Sequence, residues 1–295
     1  MSHCGAPFTR ATRAIRFDQR VMKLLRSTVA IGLCLSGLHA AAQNFPESTV
    51  KLVVPLTAGS GADTAARQVA QSLGKQWKQT VLVDNKPGAG GLIGTSAVVN
   101  AEPNGYTLLV QSAGYASNAA IYKKLPYDPL TSLVGAGLIG ATPFVMVTAA
   151  EGPYKSLKDL IAAAKVKPED VSFSSVGVGS STHFAAEYVA LAAGVKMLHV
   201  PFKGGPEAIQ EVMAGRVGFT MASLSTALPH IKSGKLRALA VTSSQRSAAM
   251  PDLPTIEQAA GLKGFEASSW FGLLAPAGTP PAVVECDART WLELA

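Results

Sequence analysis

Two glycine-rich stretches have the composition of anion-binding turns: Ala58–Asp63 (AGSGAD) and Lys86–Ser96 (KPGAGGLIGTS). A phosphate-binding P-loop requires G-x-x-x-x-G-K-[ST], and no lysine follows the last glycine, Gly94. A dinucleotide fingerprint requires G-x-G-x-x-G between a strand and a helix. The first stretch supplies Gly59 and Gly61 but has Thr64 in the third place. In the second, Gly88, Gly90, Gly91 and Gly94 are wrongly spaced. The chemistry that remains is binding by backbone. A helix that begins directly after a Gly/Ser turn presents free N–H groups and a partial positive charge, so it can hold an anion without arginine. The turn before His183 adds the hydroxyls of Ser180, Ser181 and Thr182. Each of these has a plainer alternative role as a helix N-cap.

Residues suited to bond-making chemistry are sparse. After residue 42 the histidines are His183, His199 and His230, and none has metal-ligand spacing to another or to Cys286. His183 closely follows Ser181, as a base follows a nucleophile, but no G-x-S-x-G elbow accompanies them. Paired Asp/Glu motifs are absent. His199, in MLHVPF, reads as a strand histidine at a sheet edge. No catalytic residue, metal site or cofactor is expected.

The elements that carry the turns repeat one pattern: a β-branched run, a Gly/Ser turn, then an amphipathic helix. Val50–Pro55 leads through Gly59-Ser60-Gly61 into Ala62–Lys75, where Ala65, Val69 and Leu73 share one face. Thr80–Asp84 leads into Leu92–Asn100, and Tyr106–Gln111 leads through Ser112–Asn118 into a short helix. Val171–Ser175 leads through Val176–Thr182 into His183–Ala193, closed by Gly194. Met197–Phe202 leads through Lys203-Gly204-Gly205 into Pro206–Ala214, with Pro206 at a first-turn position that needs no N–H. Alternating strands and helices predict an α/β fold with largely parallel sheets. Ligands in such sheets bind in the crevice at the strand C-terminal ends.

The 295-residue chain carries a net charge of +7, which invites a nucleic-acid reading. The charge is misplaced for it. Residues 1–42 hold six Lys/Arg and one Asp, a balance of +5, which leaves 7 − 5 = +2 for the remainder, with no basic run. The N-terminal region reads instead as a secretory signal: Met22–Arg26 positive, Ser27–Leu38 apolar, and Ala40-Ala41-Ala42 small at a cleavage point. The apolar run is shorter than the about 20 residues a membrane span needs. Met22 is the expected start and Gln43 the first mature residue. Leu33 is too bulky for Cys34 to be a lipidated cysteine. Of the three cysteines only Cys286 then remains, so no internal disulfide is available.

Five motifs carry a resemblance when taken in order: VPLTAGSGADTAAR, DNKPGAGGLIGTSAVVNAEPNGYTLL, SVGVGSSTHFAAEYVALAAGV, VPFKGGPEAIQEVMAGRV and the long run from PHIKSGKLRALAV to LLAPAGTP. From about Phe45 to Val284 the chain resembles the Bug family, the periplasmic solute receptors of tripartite tricarboxylate transporters. The resemblance implies a two-lobed α/β periplasmic binding protein, type II-like and of the Venus-flytrap kind, with the ligand cleft between the lobes. It implies that Ala58, Gly59, Ser60, Gly61 and Asp63 face a small carboxylate together with Gly179, Ser180, Ser181, Thr182 and His183. Ser112, Lys203, Gly204, Gly205 and Ser223, at the other strand-to-helix turns, complete the expected binding set. Three departures stand out. The first loop reads Ala58-Gly59-Ser60 where the family has P-G-G. Gly218 and Thr220–Ser223 replace a run that often carries Asp, which argues against an amino-acid ligand. After Val284 the chain reads ECDARTWLELA in place of C-terminal helices that pack on the first lobe, as a frameshift or truncation would produce.

These readings place lobe one at residues 43–147 and 242–295 and lobe two at 148–241. The expected partners are a small carboxylate and the membrane subunits of a tripartite tricarboxylate-type transporter. No nucleic acid and no membrane anchor after signal removal are expected. The expected location is the periplasm. A carboxylate- or nucleotide-using enzyme, and a non-functional product of a damaged gene, are the alternatives. A sensor kinase as partner would leave the same sequence.

Overall fold

The computed structural model describes residues 45–285. The expected signal segment and the tail expected to be atypical, from Cys286 on, lie outside them.

The first lobe opens with β1 (Val50–Val54), α1 (Gly61–Trp77), β2 (Val81–Asn85), a 3₁₀ turn at Ala89–Gly91, α2 (Leu92–Val99), β3 (Thr107–Ser112) and α3 (Gly114–Ile121). β1 pairs in parallel with both β2 and β3, and Val50, Leu52, Val53 and Val54 are buried, as befits a central strand covered on both faces. The buried face of α1 is Ala62, Ala66, Val69 and Leu73, so Ala66 takes the place expected of Ala65.

β4 (Leu133–Ala149) follows and belongs to both lobes. Then come α4 (Leu157–Val166), β5 (Ser172–Ser175), α5 (Ser181–Ala193), β6 (Leu198–Pro201), α6 (Gly205–Met213), β7 (Phe219–Ser223), α7 (Leu224–Lys232), β8 (Leu236–Val241), α8 (Ile256–Ala260) and β9 (Ser268–Pro276). The first sheet runs β2-β1-β3-β9-β4. The second continues β4-β7-β5-β6, with β8 on the other side of β4. Only β2-β1-β3 and β7-β5-β6 are parallel. β9, β4 and β8 are antiparallel insertions, so the expectation of largely parallel sheets holds for the strand–turn–helix units and fails for the strands that cross between lobes.

In the second lobe β4 has the period of a sheet covered on both sides. Phe144 and Met146 enter one core with Phe173, Phe219 and Ile256, while Val145 and Val147 enter the other with Ile209, Val212 and Ala222.

Two strands connect the lobes. Within β4, Pro143 still pairs with Ser268 of the first sheet, and Phe144 already pairs with Ser223 of the second. The change of sheet thus falls at Pro143/Phe144 rather than at the expected Val147/Thr148. Thr242–Ala267, expected in lobe one, packs on the second sheet, where Ile256 and Phe265 share a core with Phe173. The return occurs at Ala267/Ser268. Buried Thr242 ties both crossings: its Oγ1 accepts from the Phe144 N–H at 2.8 Å and donates to the Ala267 carbonyl.

Candidate ligand-binding site

Between the sheets lies a cavity of about 40 Å³. Its walls are the strand-to-helix turns: Ser60, Gly61 and Ala62 at the start of α1, Ser112 at the end of β3, Ser181 and Thr182 at the start of α5, Gly205 on α6, and Ser223 with Thr226 at the start of α7. Leu56, Phe144, Val176, Ile209, Met221 and Phe271 supply apolar surface. None of the lining side chains is charged. The hydroxyls of Ser112 and Ser181 have no hydrogen-bond partner among the described residues. Helix N-termini and spare hydroxyls facing a low-dielectric space have the chemistry to hold an anion by dipoles alone.

Each of the two main turns is held largely by groups behind the cavity wall, with Ser60 and Thr182 both lining the wall and bonding the turn. In the first, Ser60 is the N-cap of α1, and its Oγ accepts from the Asp63 N–H. The Asp63 carboxylate accepts from the Gly59 N–H at 2.9 Å, from Arg67 Nε at 2.9 Å and from Asn85 Nδ2 at 3.0 Å. Burial pushes the Asp63 carboxyl up, but these donors and the Arg67 charge together hold it below the ordinary carboxylate value. Asp63 therefore shapes the turn through three donors of the protein itself.

In the second turn Ser180 caps α5 by accepting from the His183 N–H, and its own Oγ donates to the Gly177 carbonyl at 2.7 Å. Thr182 Oγ1 accepts from the Val176 N–H. The His183 ring turns away from the cavity. Its Nδ1 accepts from the Gly179 N–H at 3.3 Å, and the ring stacks on His199 with centroids 4.0 Å apart. His199 is on the edge strand β6, as its sequence context suggested, and its Nε2 is 2.6 Å from Ser175 Oγ. Burial lowers both imidazoles, and repulsion from His183 adds to the effect on His199, which falls to about 4.

The Gly88–Gly91 loop makes a contact between the lobes. Gly90, at φ 62°, lies against the Val178 carbonyl of the opposite lobe, and a Cβ on it would collide there. Buried Asn118 donates from Nδ2 to the Gly90 carbonyl, and its Oδ1 lies where a Cβ on Gly179 would fall. On the other rim Gly204 meets Thr57 with no room for a side chain. Glycine at these positions lets the two lobes approach closely, Gly90 against backbone and Gly179 and Gly204 against the side chains of Asn118 and Thr57.

Of the expected binding residues, Ser60, Gly61, Ser112, Ser181, Thr182, Gly205 and Ser223 line the cavity. Ala58 and Gly59 are exposed on the first turn, and Gly179 and Ser180 are buried behind the second. Gly204 is at the rim. Lys203 is exposed, and its backbone N–H is given to Glu207. Phe144, Ser269 and Phe271 line the cavity without any turn signal, because they come from the crossing strand β4 and the antiparallel strand β9, and Thr220 lines it from within β7.

The tripartite tricarboxylate transporter family receptors match residues 65–289. The chain is 36% identical to the periplasmic binding protein BugD, with a TM-score of 0.80 over 84% of this chain and 82% of that one. It is 33% identical to Rpa4515 of R. palustris, solved with adipate, at a TM-score of 0.81 over 84% and 83%. It is 30% identical to MatC of Rhodopseudomonas palustris, solved with bound malate, at 0.80 over 84% and 85%. With the motifs, the two-sheet topology and the cleft in agreement, the chain belongs to the tripartite tricarboxylate transporter family receptors, the Bug-type solute-binding proteins.

Proposed function

We propose that this chain captures a small dicarboxylate between its lobes after export to the periplasm and presents it, closed, to the membrane subunits of a tripartite transporter. The observation that carries this reading is the cavity wall: helix N-termini and the spare hydroxyls of Ser112 and Ser181, without a charged side chain. A carboxylate would take its hydrogen bonds from the α5 turn and Ser112, and a second carboxylate from the α1 turn. An amino acid would bring an ammonium group that no carboxylate in the lining could meet. The adipate and malate seen in the two related structures support the same ligand class.

Closure would turn about Pro143/Phe144 and Ala267/Ser268, the two crossings tied by Thr242. The ligand would stabilise the closed form because only there do both turns reach it. Bound ligand is released unchanged. The test is a thermal melt of the protein against dicarboxylates, tricarboxylates, amino acids and aromatic acids, with the ligand recovered and identified afterwards. A rise in Tm with dicarboxylates and intact ligand is the expected result. A chemically altered ligand would favour the enzyme alternative. A rise only with amino acids would sink the ligand class.

A further inference from the structure

The geometry points to a role for His183 and His199 beyond packing. We propose that they are a positioning pair: stacked and neutral, they hold the Val176–Ser181 turn in the shape that presents the α5 N-terminus to the cavity, and acid releases it. The ligand readout of this idea rests on the carboxylate reading above, whereas its structural readout does not.

A nitrogen that accepts a hydrogen bond carries no proton. His183 Nδ1 accepts from the Gly179 N–H, so the neutral ring keeps its proton on Nε2, which faces Glu187 Oε1 at 3.7 Å. Protonating Nδ1 sets N–H against N–H and takes away the acceptor that fixes Gly179. His199 holds the turn from the other side. Ser175 Oγ, 2.6 Å from His199 Nε2, also accepts from the Gly177 N–H at 3.1 Å and lies 3.1 Å from the Gly177 carbonyl. Both rings lie over the buried ring of Phe173, at centroid distances of 6.2 Å and 5.0 Å. From β5 the pair meets Phe173 and Ser175, from the turn Gly179, and from α5 Phe184 and Glu187. Glu187 is the charged group recorded against the pair among the described residues, and it is 47% exposed. One proton can be shared with Glu187, but a second would place two cations with ring centres 4.0 Å apart. The same turn carries Val178 against Gly90 and Gly179 against Asn118, so loosening it also loosens the rim between the lobes.

The test has two arms on the full chain. In the first, NMR follows the imidazole signals and the Gly177 and Gly179 amides as pH falls from neutrality. The Gly179 amide is expected to shift with the same midpoint as the His183 ring. A Gly179 amide that stays still through that titration overturns the proposal, whether or not any acid binds. In the second, adipate affinity is measured calorimetrically at neutral and mildly acid pH for the native chain, His183→Asn and His183→Leu. Asparagine Oδ1 can stand in for Nδ1 as acceptor and cannot be charged. His183→Asn is expected to bind at neutral pH within a few-fold of native and to lose the part of the acid weakening that the histidine causes. His183→Leu, without an acceptor, is expected to bind about tenfold or more weakly at neutral pH. An identical acid slope in native and His183→Asn overturns the proposal, since titration of adipate itself is common to both. If the native chain binds neither adipate nor malate nor any other acid of the panel at neutral pH, the carboxylate reading fails alone, and the amide titration still decides the pair.

Discussion

The two turns that face the cavity do the same job with opposite chemistry. The Thr57–Gly61 turn is held by an ionised network, Asp63 with Arg67, Asn85 and the Gly59 N–H. The Val176–Ser181 turn is held by neutral groups: the His183–His199 stack, Ser175, Ser180 and Thr182. Their acid responses differ in consequence. Asp63 titrates below its ordinary value of 3.8 in the folded chain, so its contribution is complete above that value and is lost only as pH falls through the folded pKa. His199 titrates at about 4 when folded against 6.5 ordinarily. Between those values the unfolded chain binds the proton first, and stability falls as pH falls. The second lobe's turn therefore costs stability at a pH where the contribution of the Asp63 network is still complete.

The largest expected effect removes the second turn's access to the cavity. Ser181→Trp places an indole where about 40 Å³ is open. Adipate affinity is expected to fall by more than about a hundredfold with the second-lobe core still folded, because the site is overfilled and the core is not. Calorimetry and near-ultraviolet circular dichroism read the two parts, and unchanged affinity would refute the placement. Asp63→Ala tests the first turn. It leaves the Gly59 N–H without its acceptor and takes one of two from Asn85 Nδ2, which keeps the Leu56 carbonyl, at a cost of about 1–3 kcal/mol in urea unfolding at neutral pH. A change within a few tenths would mean that Ser60 alone shapes that turn. A milder effect sharpens the contrast in pH. The native Tm is expected to fall by several degrees from pH 7 to pH 5, and His199→Phe, which keeps the stack without the charge, should reduce that slope. The smallest effect is Arg67→Gln. Arg67 is 54% exposed, and Asp63 retains its other donors, so the loss should be about 0.2–1 kcal/mol and shrink with salt.

Much of this architecture is legible in the chain because local rules set it. Strands β1, β3, β5 and β6 and helices α1, α2, α5 and α6 announce themselves by period and by the cap residues Ser60, Ser180 and Gly194. β4 does not. Its glycines and Pro143 argue against a strand, yet the register shifts occur between Gly135 and Gly137 and between Leu138 and Gly140, and Pro143 sits where the strand leaves one sheet for the other. The site divides in the same way. Ser60, Gly61, Ser181 and Thr182 are legible because a turn before a helix has a sequence signature. Phe144, Ser269 and Phe271 are not, because nothing local distinguishes a strand residue at a cleft from one in a core.

By itself the sequence determined which segments become strands and helices, where each helix begins, and hence which backbone N–H groups are left without a partner inside the helix. Hydrogen bonds that span three or four residues suffice for that, as Ser60 to Asp63 and Ser180 to His183 show. Only the tertiary structure decided which turns face one another. It set Gly90 against Val178 and Gly204 against Thr57, and so made the most glycine-rich loop of the chain an abutment between lobes. It also brought His183 onto His199 and Thr242 onto Phe144. Those contacts join residues far apart in the chain, and their cost in chain entropy is met only when whole sheets pack, which no single stretch of sequence records.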